Sequence, residues 1–515
     1  MVGLLVVLCA ATGLLLMAVL TSFAVVSVKE GERHAARVFL LFALIGAGPI
    51  VVAAALPPPV PLIALVGFVA AGAGIFARCL LPFRRPVEPG GRATERIDER
   101  DIMFARGRLR PGSSEFEAYY RMRPENLLGD NLTRSLPGLL SPEAEKAEPM
   151  AFAAAEDGFK ITEALRDHVD GEVAASRTNR SPEEWTAILK QLALGWGAVD
   201  FGIARIEPAH VYTHIGRGTG AWGSEIALGH SWALAFTVEM DHRAVAQAPE
   251  APVVAESARQ YVESAKIAIQ LASVIRDHGW PARAHSDGNY RVIAPLVARA
   301  AGLGEIGRMG LLMTPRLGPR VRLGVVTTDL PLLADRPGDD PTVLDFGTIC
   351  KKCATNRPVG AIPHGERTPM QQGQRWIIDD ETCYRYWNVV GTDCATCMKV
   401  CPYSHPDNLM HNLVRKAIRL SPGTRSLMLW MDDLVYGRRP YRRASGNAMG
   451  EEPGTRPAQD RSVTLPRTRT LPRTRAGVEW RWRKHHENQR PRPVRRRYDG
   501  LSYRFERLHA QPRHR

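Results

Sequence analysis

Three apolar runs open this 515-residue chain: residues 2 to 28, 38 to 55 and 61 to 81. They are rich in Leu, Val and Ala and nearly free of charge. In hydrocarbon every backbone N–H and C=O must be satisfied internally, so a run of this length has one solution, a helix. At 1.5 Å per residue each run is long enough, or nearly so, to cross about 30 Å. A cleaved signal peptide would have a basic leader, which the first run lacks, and two further runs follow it. Cations sit at Lys29, Arg33 and Arg37 between the first two runs and at Arg78, Arg84 and Arg85 after the third, whereas the Pro57–Pro59 turn has none. With three spans both basic patches fall on one side, which the positive-inside rule makes cytoplasmic. The expectation is a multi-pass anchor in the cell (inner) membrane, with lipid bilayer as its surroundings and the remaining chain facing the cytoplasm.

The formal charge of +15 does not describe that remaining chain. From Arg438 to Arg515 there are 22 Lys and Arg against 7 Asp and Glu, so the surplus belongs to the tail. The tail is Arg- and Pro-rich with a tandem TLPRTR at Thr464–Arg469 and Thr470–Arg475, and its composition predicts disorder. Trp480, Trp482 and Arg495–Arg497 suit an anionic lipid surface, and no nucleic-acid partner is expected.

Six of eight cysteines fall in one window: Cys350, Cys353, Cys383, Cys394, Cys397 and Cys401. The last three read Cys-x₂-Cys-x₃-Cys-Pro, the spacing by which a turn presents thiolates to a 4Fe–4S cube. Zinc sites pair two knuckles without the trailing Cys-Pro. Cys9 and Cys79 lie in apolar runs, so no disulfide framework is expected and a reducing compartment fits.

Between the runs and the cysteines the pattern is mixed α/β. Arg84–Arg96, with Pro86, Pro89, Gly90 and Gly91, reads as a linker. Ser181–Glu184 spells a capping box that opens a helix carrying Trp185, Ile188, Leu189, Leu192 and Leu194. Strands are predicted at Ala233–Met240 and Val321–Thr327, and a helix at Tyr261–Arg276. There is no Walker loop and no dinucleotide fingerprint in βαβ context.

The segment Gly307–Pro331 (GRMGLLMTPRLGPRVRLGVVTTDLP), followed by the cysteine window, resembles the reductive dehalogenases. So do Asp101–Arg106 (DIMFAR), Arg110–Ser113 (RPGS), the Tyr119–Tyr120 pair and Pro137–Leu140 (PGLL), and the likeness runs from about residue 95 to Tyr436 and Gly437. The resemblance implies an α/β fold: a nitroreductase-like core binding a corrinoid (cobalamin), then a ferredoxin-like module with 4Fe–4S clusters. It is similar to a family that binds cobalamin without a histidine ligand, in keeping with the missing Asp-x-His-x-x-Gly motif. The implied organisation is an anchor over 1–83, linker 84–100, catalytic core 101–345, iron–sulfur module 346–410, closing segment 411–442 and tail 443–515.

The same resemblance implies a tyrosine proton donor with a nearby cation, which by register match Tyr261 and Arg322, with Arg320 as rival, and a polar substrate-side residue at Asn289. The glycine-rich run puts Gly304, Gly307, Arg308, Met309 and Gly310 at the cofactor. The implied reaction is reductive cleavage of a carbon–halogen bond in a small organohalide, with a membrane donor such as quinol. The sequence departs from the family's first cysteine run, because Gly347 and Arg357 stand where cysteines are expected. If the crossed ligation of two-cluster ferredoxins holds, Cys350, Cys353 and Cys401 serve one cluster and Cys383, Cys394 and Cys397 the other. Alternatively the later four hold a single cube, or this copy is impaired. Two other readings stay open: an epoxyqueuosine-reductase-like cobalamin enzyme, and a non-catalytic corrinoid or iron–sulfur electron-transfer protein.

Overall fold

The computed structural model describes residues 2–80, 93–337, 341–356, 358–370 and 373–439. Most of the predicted linker, with Arg84 and Arg85, lies outside the described residues, as do Arg357 and the basic tail with its repeat.

The apolar runs are helices, and three segments are long and apolar enough to cross a membrane: Gly3–Lys29, Arg33–Ala54 and Val60–Cys79. Gly13 lets the first two approach closely, since a Cβ there would lie 2.7 Å from the Val51 side chain and 2.9 Å from its backbone nitrogen. Small residues at helix contacts serve this purpose where dispersion, not water, drives packing. The foot of these three apolar segments is fastened to helices Leu409–Leu420 and Pro422–Val435. Ala24, Ala35, Ala36 and Phe39 share an apolar cluster with Met410 and Val435. The Ser421 hydroxyl donates to the Cys79 carbonyl at 2.5 Å.

A four-stranded antiparallel sheet forms the centre. Its strands are β1 (Asp200–Arg205), β2 (Trp232–Glu239), β3 (Ala282–His285) and, after a short hairpin of β4 (Glu305–Ile306) and β5 (Leu312–Met313), β6 (Val321–Thr328). The order is β1-β2-β6-β3. Strand alternation sends Leu234, Phe236 and Val326 to one face, where Ile267, Leu271 and Ile275 of helix Pro252–Asp277 and Trp185 and Leu189 of helix Pro182–Gly195 cover them. Ala233, Ala235 and Val325 point the other way, under helix Ala294–Ala300. Gly324 is required on the first face, because a Cβ would sit 2.2 Å from the Phe236 ring.

The capping box at Ser181 and Glu184 forms with both hydrogen bonds. Leu194, expected on that helix's apolar face, is exposed. The helix expected from Tyr261 begins at Pro252, so Tyr261 lies in its third turn and not near its start. Pro252 occupies the first turn, where its missing N–H costs nothing.

Candidate active site and cysteine cavity

Arg322 is the second residue of β6, paired with Val238. It shares a face with Gly324 and Val326, so strand periodicity aims it at helix Pro252–Asp277. Its guanidinium stands over the Tyr261 ring, 5.1 Å from the centroid. Its Nη2 donates to Ser257 Oγ at 2.6 Å and to Asp393 Oδ2 at 2.8 Å, and Ser257 donates to the same carboxylate oxygen at 2.5 Å. The sequence reading did not single out Ser257 or Asp393. Asp393 directly precedes Cys394, so this ion pair joins the sheet to the cysteine turn. Arg320 is fully buried and used otherwise: its Nε donates to the Ser404 carbonyl at 2.9 Å and Nη1 to Glu239 at 2.6 Å. The structure brings Arg322, and not Arg320, to Tyr261.

Tyr261 is half-buried and also faces Phe159, at 6.3 Å between centroids. That approach depends on Gly158, where a Cβ would lie 3.0 Å from Ala258. Burial pushes the Tyr261 phenol up to about 12 although Arg322 pulls it down. It is therefore a neutral donor at physiological pH. Asp393 is raised by burial and lowered by Arg322 and Ser257. Tyr212, Tyr290, Asp287 and Arg217 complete the electrostatic surroundings; burial holds Tyr212 at about 12 and Tyr290 well above the ordinary phenol.

Asn289 lies fully buried on the Ser286–Tyr290 turn, one residue before Tyr290. Its Oδ1 accepts from the Thr219 amide and hydroxyl at 3.1 Å each and from Arg283 Nη2 at 3.2 Å. Asn289 thus fixes the 217–219 loop that carries Arg217. Its Nδ2, with Ser286 Oγ and Arg322 Nε, is buried without a hydrogen-bond partner. Orphaned polar atoms of this kind fit a polar ligand.

The glycine-rich run forms the β4–β5 hairpin. A Cβ at Gly307 would meet Met313 Cγ at 2.7 Å, and one at Gly310, with φ of 74°, would meet Ile378 at 2.3 Å. Gly304 packs as closely on the Met313 carbonyl. Gly304 and Gly307 serve close packing within the hairpin, and Gly310 serves its packing against Ile378. Arg308 donates to the Gly347, Pro363 and Gly365 carbonyls at 2.9, 2.6 and 2.9 Å and stacks on Trp376 at 4.5 Å. Arg308 and Met309 line a small cavity together with Cys350, Cys353 and Cys401.

That cavity holds the three cysteines that the crossed ligation would use. Cys401 comes from the later run yet stands with the earlier pair, and Cys350 and Cys353 both act electrostatically on it. Lys351, between Cys350 and Cys353, has φ of 55°; Cys394 and Ala395 have φ of 59° and 48°. Left-handed non-glycine residues are uncommon and concentrate at ligand sites, and the turns they make aim backbone N–H groups at anions, as in iron–sulfur sites. The Lys352 and Tyr403 amides bond the Cys350 and Cys401 sulfurs. Burial pushes the Cys350 thiol up to about 12 and the Cys401 thiol well above its ordinary value. Metal binding is what would keep such sulfurs as thiolates. Cys383 lies in the first turn of helix Asp380–Val390, whose Tyr386 and Val390 cluster with Cys394. Among the described residues no three His, Cys, Asp or Glu side chains are gathered as for a metal ion; a cube holds its thiolates farther apart than a single ion does. The Gly347 position is closed by Trp376, whose Cη2 would lie 3.1 Å from an added Cβ. These residues fit a cluster with three thiolates.

No family model matches the chain. A tetrachloroethene reductive dehalogenase from Desulfitobacterium hafniense is 30% identical over 243 residues, 45% of this chain and 41% of that protein. The protein of the same name from Sulfurospirillum multivorans is 35% identical over 208 residues, 39% of this chain and 41% of its own length. The chain therefore spans about 41% of the length of these relatives. An epoxyqueuosine reductase from Listeria monocytogenes is 25% identical over 178 residues, 33% of this chain and 44% of the other. In fold, the chain resembles the catabolic reductive dehalogenase NpRdhA in complex with 3-bromo-4-hydroxybenzoic acid, with a TM-score of 0.55 and 24% identity over 69% of this chain and 49% of that one. The chain is thus similar in sequence to reductive dehalogenases and, at lower identity, to epoxyqueuosine reductases, and it shares the fold of a reductive dehalogenase.

Proposed function

We propose that the chain is a membrane-anchored reductive dehalogenase acting on a small organohalide, with cobalamin in a nitroreductase-like core and iron–sulfur clusters in a ferredoxin-like module. The observation that carries this reading is the Arg322–Asp393 ion pair, which sets a cation over Tyr261 and, one residue on, reaches Cys394. Bound cobalamin supplies the low-potential metal at which the carbon–halogen bond breaks.

The net change, R–X + 2e⁻ + H⁺ → R–H + X⁻, needs one proton. Tyr261 holds that proton on its Oη, since its raised pKa keeps the phenol neutral. Arg322 lowers the cost of the phenolate left behind, as a neighbouring cation favours the charged form. Asp393 and Ser257 hold the guanidinium in place. Asn289 orients the loop carrying Arg217 and leaves Nδ2 to meet substrate or cofactor. Ser286, whose Oγ is buried without a hydrogen-bond partner, would help to hold a polar group of the corrinoid. The Gly304–Gly310 hairpin, with Arg308 and Met309 in the cysteine cavity wall, would border the cluster on one side and the corrinoid on the other. Lys29, Arg33 and Arg37 put the catalytic portion on the cytoplasmic side.

Anaerobic purification with added cobalamin tests the reading. Corrinoid content is measured with halide release from an organohalide panel driven by a low-potential dye. Bound corrinoid with halide release is expected. Corrinoid without release from any substrate would move the protein to a non-catalytic role.

A further inference from the structure

Where the first span ends, the Lys29–Arg33 turn closes a cavity of about 720 Å³ lined by Val28, Glu30, Cys401, His405, Asp432 and Tyr436, among others. The His405 and His411 rings stack at 4.5 Å with an interplanar angle of 4°, and the Tyr436 ring lies 4.2 Å from His405. His411 Nε2 stands 3.0 Å from the Glu30 carboxylate, which also accepts from Asn408 Nδ2 at 2.6 Å. His405 Nε2 is 3.4 Å from Asp432. None of these groups takes part in the chemistry at Tyr261.

Four properties coincide here: an apolar span leading in, flat rings that can flank a planar head group, two imidazole–carboxylate pairs, and a cysteine of the candidate cluster in the same wall. We propose that this cavity binds and oxidises a lipid-soluble quinol, an inference that rests on Cys350, Cys353 and Cys401 holding an iron–sulfur cluster. The quinol becomes the quinone by losing two electrons and two protons. The electrons pass one at a time to the oxidised cluster at Cys401, and the protons to the Glu30–His411 and Asp432–His405 pairs and on to water. Burial alone would raise Glu30, but its bonds to His411 and Asn408 more than offset this and keep it ionised, so that it can accept a hydrogen bond from the quinol hydroxyl and hand the proton on to water. The closed Gly347 position suits such a donor. A cluster with three thiolates, and with Arg308 and Lys352 in its wall, carries less negative charge and has a higher potential than one with four. The wall sets Lys29, Arg33, Arg243, Lys352, Lys399 and Arg438 against Glu30, Glu32 and Asp432, so a phospholipid phosphate is the alternative occupant that the test must separate.

The test uses the full-length, cluster-loaded protein in neutral detergent without oxygen. A short-chain naphthoquinone is titrated against tryptophan fluorescence, and the matching quinol is then added while the visible absorbance of the clusters is followed. Saturable quinone binding is expected, weakened at least about tenfold in Glu30→Gln and in Tyr436→Leu, or about 1.4 kcal/mol. Quinol should bleach the parent protein at least about ten times faster than either variant, while dithionite bleaches all three. Absent binding in the parent protein, or unchanged binding in both variants, overturns the proposal. So does displacement of the quinone by anionic phospholipid vesicles together with no bleaching by quinol, which assigns the cavity to a lipid head group. Quinol bleaching in a protein that releases no halide leaves this inference standing and removes the dehalogenase reading.

Discussion

The Tyr261 site and the cysteine cavity meet at Asp393–Cys394 but are built in opposite ways. Around Tyr261, Arg322, Ser257 and Asp393 hold one another in one buried ion pair, which leaves Arg322 Nε and Asp393 Oδ1 open. In the cavity of Cys350, Cys353 and Cys401 the backbone turns are shaped for anions, yet one expected sulfur is replaced by a glycine under an indole ring. The first site tolerates little chemical change because each partner is held by the next. The second has already been altered at a ligand position while its backbone frame was kept.

The largest effect expected from breaking the first site is on catalysis. Tyr261→Phe should slow dye-driven halide release by about 10²–10⁴-fold, the usual weight of a positioned acid, with corrinoid content and thermal unfolding unchanged. Equal rates would remove Tyr261 as proton donor. Arg322→Ala should cost about 3–5 kcal/mol of stability, because it leaves the Asp393 carboxylate buried and unpaired. Adding Asp393→Ala should recover part of that loss in a double-mutant cycle of detergent-solubilised unfolding, whereas strict additivity would show that the pair does not couple.

Gly347→Cys sharpens the contrast. Pressed against Trp376, the new side chain should cost about 1–3 kcal/mol by overpacking and leave iron per chain unchanged. Extra iron in that single variant would mean that only a sulfur, and not the closed position, keeps the cluster short of a ligand. The smallest effect concerns pH. His285 beside the Asn289 turn is held well below its ordinary pKa by burial, reinforced by Arg283 and Arg291. It accepts from the Arg291 amide at 3.1 Å. The unfolded chain binds this proton below about pH 6.5 and the folded chain does not, so stability is full above that pH and falls as pH drops. The slope is at most about 1.4 kcal/mol per pH unit for each such group. His242 and His411, both pushed down to about 4 chiefly by burial, act in the same sense. A His285→Asn protein should lose stability less steeply between pH 6.5 and 5, and an unchanged slope would show that His285 is not titrating.

What could be read from the sequence was what neighbours in the chain decide. Three apolar runs fix three helices by length alone, and Cys-x₂-Cys spacing fixes two turns. Ser181 and Glu184 cap a helix three residues apart. Strand alternation could not separate Arg322 from Arg320, which are two residues apart; Arg320 lies just before β6 and turns to Ser404 and Glu239, a difference that only the folded chain reveals. The helix boundary at Pro252 escaped because Val253–Glu256 has no clear helical stripe; tertiary packing against residues 149–164 makes the helix there. Asp393 with Arg322, 71 residues apart, and Glu30 with His411, 381 apart, are contacts that only the folded chain reveals. Asp393 had one local hint, its place directly before Cys394.

That placement constrains how such proteins diversify. The residue steadying the cation over Tyr261 belongs to the turn that carries Cys394, so grafting the cysteine-bearing segment from a cousin would import a foreign acid–base setting with it. Recombination across this seam should yield chimaeras that carry electrons yet mishandle protons, unless carboxylate and guanidinium travel together.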